Sequence, residues 1–450
     1  MANLERRLHI GYAFRRKIMR VPFDLDHPYW IDDQDFDLEF HVRHIALPKP
    51  GDWRQLCIQA ARLHARALDE SRPLWELYVI EGLDNVEGVP PGSFAVLMKI
   101  HHAAVDGVSG TELQAALHDL TPEPSVPPGE AWTPAAPPRN EELLLRAGFN
   151  NMTQPFRLGE LMSRTIPALA NASTRLGQRA TPATPATVPR TRFNGTVSVH
   201  RVVDGCSVPL AGLKAVKAVV PQATVNDAVL TVIGGALREY LQLKGELPDD
   251  SLLAMAPISV RSAENKADQG NQVAAMTVSL GTDVADPIER LRAVHEATTA
   301  AKEMTNAVGA RLMTDYTQFI PSATAALAAR QYSELGLANQ TNPTVNCVVT
   351  NVPGPQQSLY MCGARLVAQY GLGPVQDGMG LIHAVFSYNG NVMIMATSCR
   401  DMMPDPAFYA DCLRRSYDAL VKGVGGKVPS RSTPTKARTP RAKAVAAKAR

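Results

Sequence analysis

The amino-acid sequence predicts an α/β protein of two lobes, each a mixed sheet with helices, joined by a helical crossover. Three observations carry this reading. The chain has 450 residues, too many for one hydrophobic core. Both halves alternate short runs rich in Val, Ile, Leu and Phe with longer runs of helical period. Two proline-rich stretches set off an amphipathic segment between the halves. The expected divisions are an N-terminal lobe over 1–125, a Pro-rich and helical crossover over 126–190, a C-terminal lobe over 191–425 and a basic tail over 426–450.

In the first half, Asp52 is placed to cap a helix running to about Leu68. Strands are expected at Trp75 to Glu81 and at Ser93 to His101. Ser109-Gly110-Thr111-Glu112 has the spacing of a capping box and should open a helix reaching about Asp119. Seven prolines between Thr121 and Pro138, and a second cluster from Thr181 to Pro189, favour extended chain. Between them, Glu141 to Gln178 carries apolar residues at helical spacing, with interruptions expected at Pro155 and Pro167. In the second half, strands are expected at 196–203, 252–260, 274–280, 345–350 and 382–388, and helices at 209–219, 225–241, 286–303 and 405–422. Asp286-Pro287 and Asp405-Pro406 suit the N-cap and first helical positions. Asn389-Gly390 between apolar runs predicts a tight hairpin.

Composition narrows the function classes. Apolar residues make up 45% and charged residues 20%, an ordinary globular balance. No apolar run approaches the length that spans a bilayer. Met1 to Arg20 lacks the apolar core of a signal peptide, and the six cysteines form no CxxC pair. Reduced thiols in a cytoplasmic protein are expected. The formal charge is +3, yet eight Lys or Arg and no acid lie between Lys427 and Arg450, leaving −5 for the rest. Such a tail is usually a solvated appendage, but it also suits an anionic lipid surface. It interleaves no aromatic residues, so nucleic acid is not an expected partner.

The chemistry concentrates at His101-His102-Ala103-Ala104-Val105-Asp106-Gly107. An imidazole titrates near neutrality, so it can take a proton from an alcohol and return it to a leaving group. The end of a strand fixes its position. Gly107 permits backbone conformations that other residues resist. Other chemistries fare worse. A nucleophile elbow at Ser109 would need Gly at position 111, where the chain has Thr. HExxH and P-loop motifs do not occur. No further ligands at zinc spacing accompany His101 and His102, so no metal is expected.

The histidine motif resembles that of the superfamily containing chloramphenicol acetyltransferase, plant acyltransferases and peptide-synthesis condensation domains. Further segments narrow the resemblance. They are His27-Pro28-Tyr29-Trp30, Asp35-Phe36-Asp37, His41-Val42-Arg43-His44 and Ser71-Arg72-Pro73-Leu74-Trp75-Glu76 in the first half. In the second they are Asn226-Asp227, Pro257-Ile258-Ser259-Val260-Arg261, Gly270-Asn271 and Thr350-Asn351-Val352-Pro353-Gly354-Pro355. Together these look like the bacterial wax ester synthase/diacylglycerol acyltransferase family, from about Arg15 to Val421.

The resemblance implies two chloramphenicol acetyltransferase-like lobes with a tunnel between them. Acyl-coenzyme A would enter as a co-substrate from one face and diacylglycerol or a long-chain alcohol from the other, with no bound cofactor. His102 would be the general base and His101 would shape the site. Asp106 would be structural, paired with Arg261, and Asn271 would be a polar group near the oxyanion. Asn226 and Asp227 would line the site, although an acid in a first helical turn equally suits a cap. Lipid substrates imply peripheral contact with membrane or lipid droplets from the cytoplasm. The family pattern also carries sequence, including a first strand, before the point matching Arg15, and its absence would uncover a sheet edge or tunnel wall. Two rivals are a condensation-type acyltransferase using a carrier-protein thioester and an inactive lipid-binding relative.

Overall fold

The computed structural model describes residues 1–104, 117–124, 132–177, 188–259, 273–308 and 322–425. It is a mixed α/β fold. Two short strands, β1 (Arg16–Met19) and β2 (Tyr29–Asp32), pair antiparallel near the start. A three-stranded sheet follows, made of β3 (Val42–Ala46), β4 (Trp75–Glu81) and β5 (Ala95–Ile100). β3 and β4 run parallel because the helix Trp53–Ala65 carries the chain back between them. Asp52 caps that helix as expected, accepting from the Gln55 amide at 2.9 Å. β5 lies antiparallel to β4, with Trp75 opposite Ile100. Alternation along β4 sends Leu77 towards Leu8, Phe14 and Trp75, and Tyr78 and Ile80 towards Leu47, Leu63 and Leu83.

The crossover helix Asn140–Gly177 is continuous. The interruptions expected at Pro155 and Pro167 do not occur. At Pro155 the reason is solvent. Asn151 and Pro155 are both exposed, so water can satisfy the carbonyl that loses its intrahelical donor.

The second sheet has six strands: β6 (Arg201–Pro209), β7 (Leu253–Ser259), β8 (Val273–Ser279), β9 (Cys347–Val352), β12 (Leu381–Tyr388) and β13 (Asn391–Cys399). Their order is β6-β13-β12-β9-β7-β8. The small β10 (Tyr360–Met361) and β11 (Ala364–Arg365) form a separate ribbon. Asn389-Gly390 makes the expected tight turn between β12 and β13, with both residues at positive φ. The first strand differs from expectation. Residues 196–200 are held outside the sheet, where Val197 donates to Asp377 at 2.7 Å and Thr196 to Asn339 at 3.1 Å. The strand starts at Arg201, opposite Cys399.

The largest core fills the space between this sheet and the helices Val225–Lys244, Pro287–Val308 and Pro406–Gly423. The helix Val225–Lys244 is buried on nearly all sides, which its almost unbroken apolar run dictates. Gly234 lets it approach β8, since a β-carbon there would lie 2.0 Å from the Leu280 carbonyl oxygen. Helix propensity alone says that Gly234→Ala stabilises by about 1 kcal/mol. The packing reverses that sign. Gly234→Ala is expected to destabilise by about 1–3 kcal/mol, as overpacking does, measured by urea denaturation. A raised midpoint would contradict this account of the core.

The two sheets are tied together. Trp53 Nε1 donates to Asp204 on β6 at 2.8 Å, and Cys57 and Ala61 pack against Val203. Burial holds the Asp204 carboxyl above its usual range. A second tie joins Asp119 to Tyr360 by two backbone hydrogen bonds. The Asp119 carboxylate receives the buried Arg7 guanidinium at 2.6 Å. The cysteines are free, five buried and Cys362 exposed. Among the described residues, no helix is long and apolar enough to cross a membrane.

Candidate active site

The histidine turn is built on the paired strands β4 and β5. Antiparallel pairing carries β5 to Ile100, and the His101 amide then donates to the Leu74 carbonyl at 2.9 Å. The Pro73-Leu74-Trp75 segment therefore anchors the residue before His102. Trp75 is itself locked. Its Nε1 donates to the Phe14 carbonyl at 3.0 Å, and its ring stacks on His41 at 4.4 Å. His41 Nδ1 donates to the Trp75 carbonyl at 2.7 Å, and Phe36 stacks on its other face. Burial lowers the His41 pKa and so disfavours its charged form. His41 is thus a brace for β4. Lys99 ties β5 from the other side, donating to the carbonyls of Leu63, at 3.1 Å, and Arg66.

Beyond the strand the chain turns sharply, with the Ala104 amide donating to the His101 carbonyl at 2.9 Å. His101 Nδ1 accepts from the Ala103 amide at 3.1 Å, so its side chain belongs to the turn. His102 projects to solvent at the tip. Removing the His101 acceptor should loosen the turn by about 1 kcal/mol, the ordinary worth of one hydrogen bond. His101→Ala is therefore expected to lower kcat/KM by less than about tenfold, with thiol release from acyl-coenzyme A as the readout. A loss as large as that from His102→Ala would exchange the roles of the two histidines.

Asn226 and Asp227 open the helix Val225–Lys244. Asp227 is fully buried and completes a capping box with Thr224, whose amide it accepts at 2.8 Å. The same carboxylate receives His295 Nδ1 at 2.9 Å and the Thr298 hydroxyl at 2.8 Å. Asp227 is therefore a structural hub between two helices. Asn226 points elsewhere and accepts from Asn351 Nδ2 at 3.0 Å, at the end of β9. This contact joins the Asn-Asp segment to Thr350-Asn351-Val352-Pro353-Gly354-Pro355. Gly354 is required there, because a β-carbon would lie 2.2 Å from the Ser387 carbonyl oxygen.

Among the described residues, no hydrogen bond links the histidine turn to the Asn226 cluster. Asp106, Gly107, Arg261 and Asn271 lie outside the described residues, as does the capping box at 109–112. Sequence reasoning missed three contributors: His295, Thr298 and the side-chain role of Asn351. No local signal marks His295, which meets Asp227 only through helix packing. Asn351 stood inside a quoted motif and was readable as a polar partner. No group of His, Cys, Asp and Glu able to hold a metal occurs among the described residues.

Comparison with known proteins decides the family. Residues 1–229 match the wax ester synthase/diacylglycerol acyltransferase catalytic domain, and residues 269–421 match the C-terminal domain of the same proteins. The chain belongs to the wax ester synthase/diacylglycerol acyltransferase family. Two relatives from Mycobacterium tuberculosis H37Rv are provisionally named diacylglycerol O-acyltransferases. One is 33% identical over 94% of this chain and 82% of its own length. The other is 35% identical over 92% of this chain and 89% of its own. Among solved structures, the wax ester synthase/diacylglycerol acyltransferase of Marinobacter aquaeolei VT8 aligns with a TM-score of 0.62 at 27% identity, covering 91% of this chain and 86% of that one. This wax ester synthase/diacylglycerol acyltransferase family chain is an acyltransferase, an enzyme that takes an acyl donor and an acyl acceptor.

Proposed function

We propose that the protein transfers a fatty acyl group from acyl-coenzyme A to the free hydroxyl of diacylglycerol, giving triacylglycerol, and that it accepts long-chain alcohols as secondary acceptors. The observation that carries this reading is the histidine turn on the end of β5, in a chain of this family. In the proposed step, His102 removes the hydroxyl proton as the oxygen attacks the thioester carbonyl. The new C–O bond leaves a tetrahedral oxyanion. Its collapse breaks the C–S bond, and the protonated imidazole returns the proton to the departing thiolate. Asn271 is proposed to donate towards the oxyanion, where one donor is typically worth about 10²–10³-fold. Asp106 and Arg261 are proposed to hold the loop as an ion pair, with Gly107 allowing its turn.

No metal or bound cofactor enters this step. Peripheral attachment to a membrane or lipid droplet from the cytoplasm completes the proposal. Its electrostatic part is assigned to the eight basic residues between Lys427 and Arg450. The test is release of coenzyme A thiol from palmitoyl-coenzyme A, with and without dispersed diacylglycerol. Release should rise at least about tenfold with acceptor, the scale of a 1.4 kcal/mol barrier change. Release independent of acceptor identifies a thioesterase and overturns the proposal.

A further inference from the structure

Over residues 143–157 the crossover helix Asn140–Gly177 presents two apolar faces, one packed and one exposed. Leu143 and Ala147 are fully buried against Val21, Met19 and Tyr29. Asn150 reinforces that side, donating to Asp26 at 2.7 Å. Leu145, Phe149, Met152 and Phe156 recur at three- and four-residue intervals on the opposite side, since each residue advances about 100° around a helix. They are 77%, 64%, 76% and 81% exposed. The loop between β1 and β2 lies beside this helix, where Asn151 Nδ2 donates to the Leu25 carbonyl at 3.0 Å. There Phe23 is 86% exposed and sits at φ 62°, a left-handed conformation strained for phenylalanine. An open pocket of about 380 Å³, lined by Tyr29, Leu145, Arg146, Phe149 and Asn150, adjoins the stripe. A contiguous patch of this kind in water marks a docking surface.

We infer that this face is the protein's lipid-surface anchor: the exposed part of the helix lies in the interface of an anionic bilayer with Leu145, Phe149, Met152, Phe156 and Phe23 inserted. Charge selects a lipid over a second copy of the chain. From Asn140 to Gly177 the helix carries four arginines and three acids, with Glu141 and Glu142 confined to its first turn, against a chain body that is net negative before the basic tail. Arg146, paired with Glu142, and the exposed Arg157 border the stripe, and the long stem of Arg157 can lie on apolar surface while its guanidinium reaches a phosphate. A basic face beside a Phe- and Leu-rich face is the pattern of a helix that lies on a membrane. The helix is not apolar enough to cross one. The inference rests on the lipid substrates proposed above and assigns the surface that meets them.

The test is co-sedimentation of the full-length protein with vesicles of phosphatidylcholine and phosphatidylglycerol, at low salt and at 1 M NaCl. The low-salt arm includes attraction by the basic tail, while the high-salt arm isolates apolar insertion. The doubly substituted F149E/F156E protein should bind at least about tenfold more weakly than wild type at 1 M NaCl. Leu243→Glu, at an exposed position of a different helix, should bind like wild type. Turnover of detergent-solubilised substrate by F149E/F156E should stay within about twofold of wild type, because the stripe is outside the proposed catalytic machinery. Undiminished vesicle binding by F149E/F156E overturns the inference. So does a wild-type dimer that F149E/F156E converts to a monomer in light scattering, since the occupant is then a second copy. Acyl transfer by a wild-type protein that binds no vesicle overturns the inference and leaves the proposed reaction standing. Stripe-dependent binding without acyl transfer supports the anchor and overturns the proposed reaction.

Discussion

Replacing His102 with alanine is expected to lower turnover by about 10²–10⁴-fold, the usual worth of a positioned general base. That corresponds to roughly 3–5 kcal/mol of barrier. The fold should survive. His102 is exposed at the tip of its turn, and the backbone before it is held by the His101 amide on the Leu74 carbonyl. Removing an exposed side chain away from packing usually changes stability by less than about 0.5 kcal/mol. Thiol release and thermal denaturation, measured on the same preparation, check both halves. A folded variant keeping more than about a third of wild-type turnover contradicts the assignment, because a positioned general base is typically worth about 10²-fold or more.

Asp227→Ala is expected to act on stability instead. The change strips an acceptor from the Thr224 amide, His295 and Thr298 in a fully buried position. Breaking a buried, hydrogen-bonded charge cluster from one side costs about 3–5 kcal/mol. Asp227→Asn keeps the shape and one acceptor oxygen, so it should cost less. Urea denaturation of both variants gives the comparison. An unchanged midpoint with lost turnover would move Asp227 from scaffold to chemistry.

The second half of the fold was legible because its helices carry explicit start signals. Thr224 begins a capping box at the predicted boundary, and Asp286 accepts the amides of Ile288 and Glu289, both at 2.9 Å. Asp405 precedes its helix as expected, yet its carboxylate binds Tyr240 and Lys244 rather than capping. The start of β6 was not legible. Asp204-Gly205 has the composition of a turn, but it lies inside the strand, where a β-carbon on Gly205 would meet the Ile394 carbonyl oxygen at 2.2 Å. β1, β2 and β3 were missed because four or five residues carry too little periodicity to mark a strand. At the site, motif spacing located His101, His102, Asn226 and Asp227. It could not show that Asp227 meets His295, because that contact is made by helix packing across the core.

The identity of the acylated product distinguishes acyl transfer to diacylglycerol from hydrolysis. Wild-type protein is incubated with acyl-labelled palmitoyl-coenzyme A and diacylglycerol, and the lipids are separated by thin-layer chromatography. Label is expected in triacylglycerol, with one free coenzyme A released for each ester formed. Label appearing only in free fatty acid, or remaining entirely in palmitoyl-coenzyme A with folded protein present, would contradict the proposed transfer.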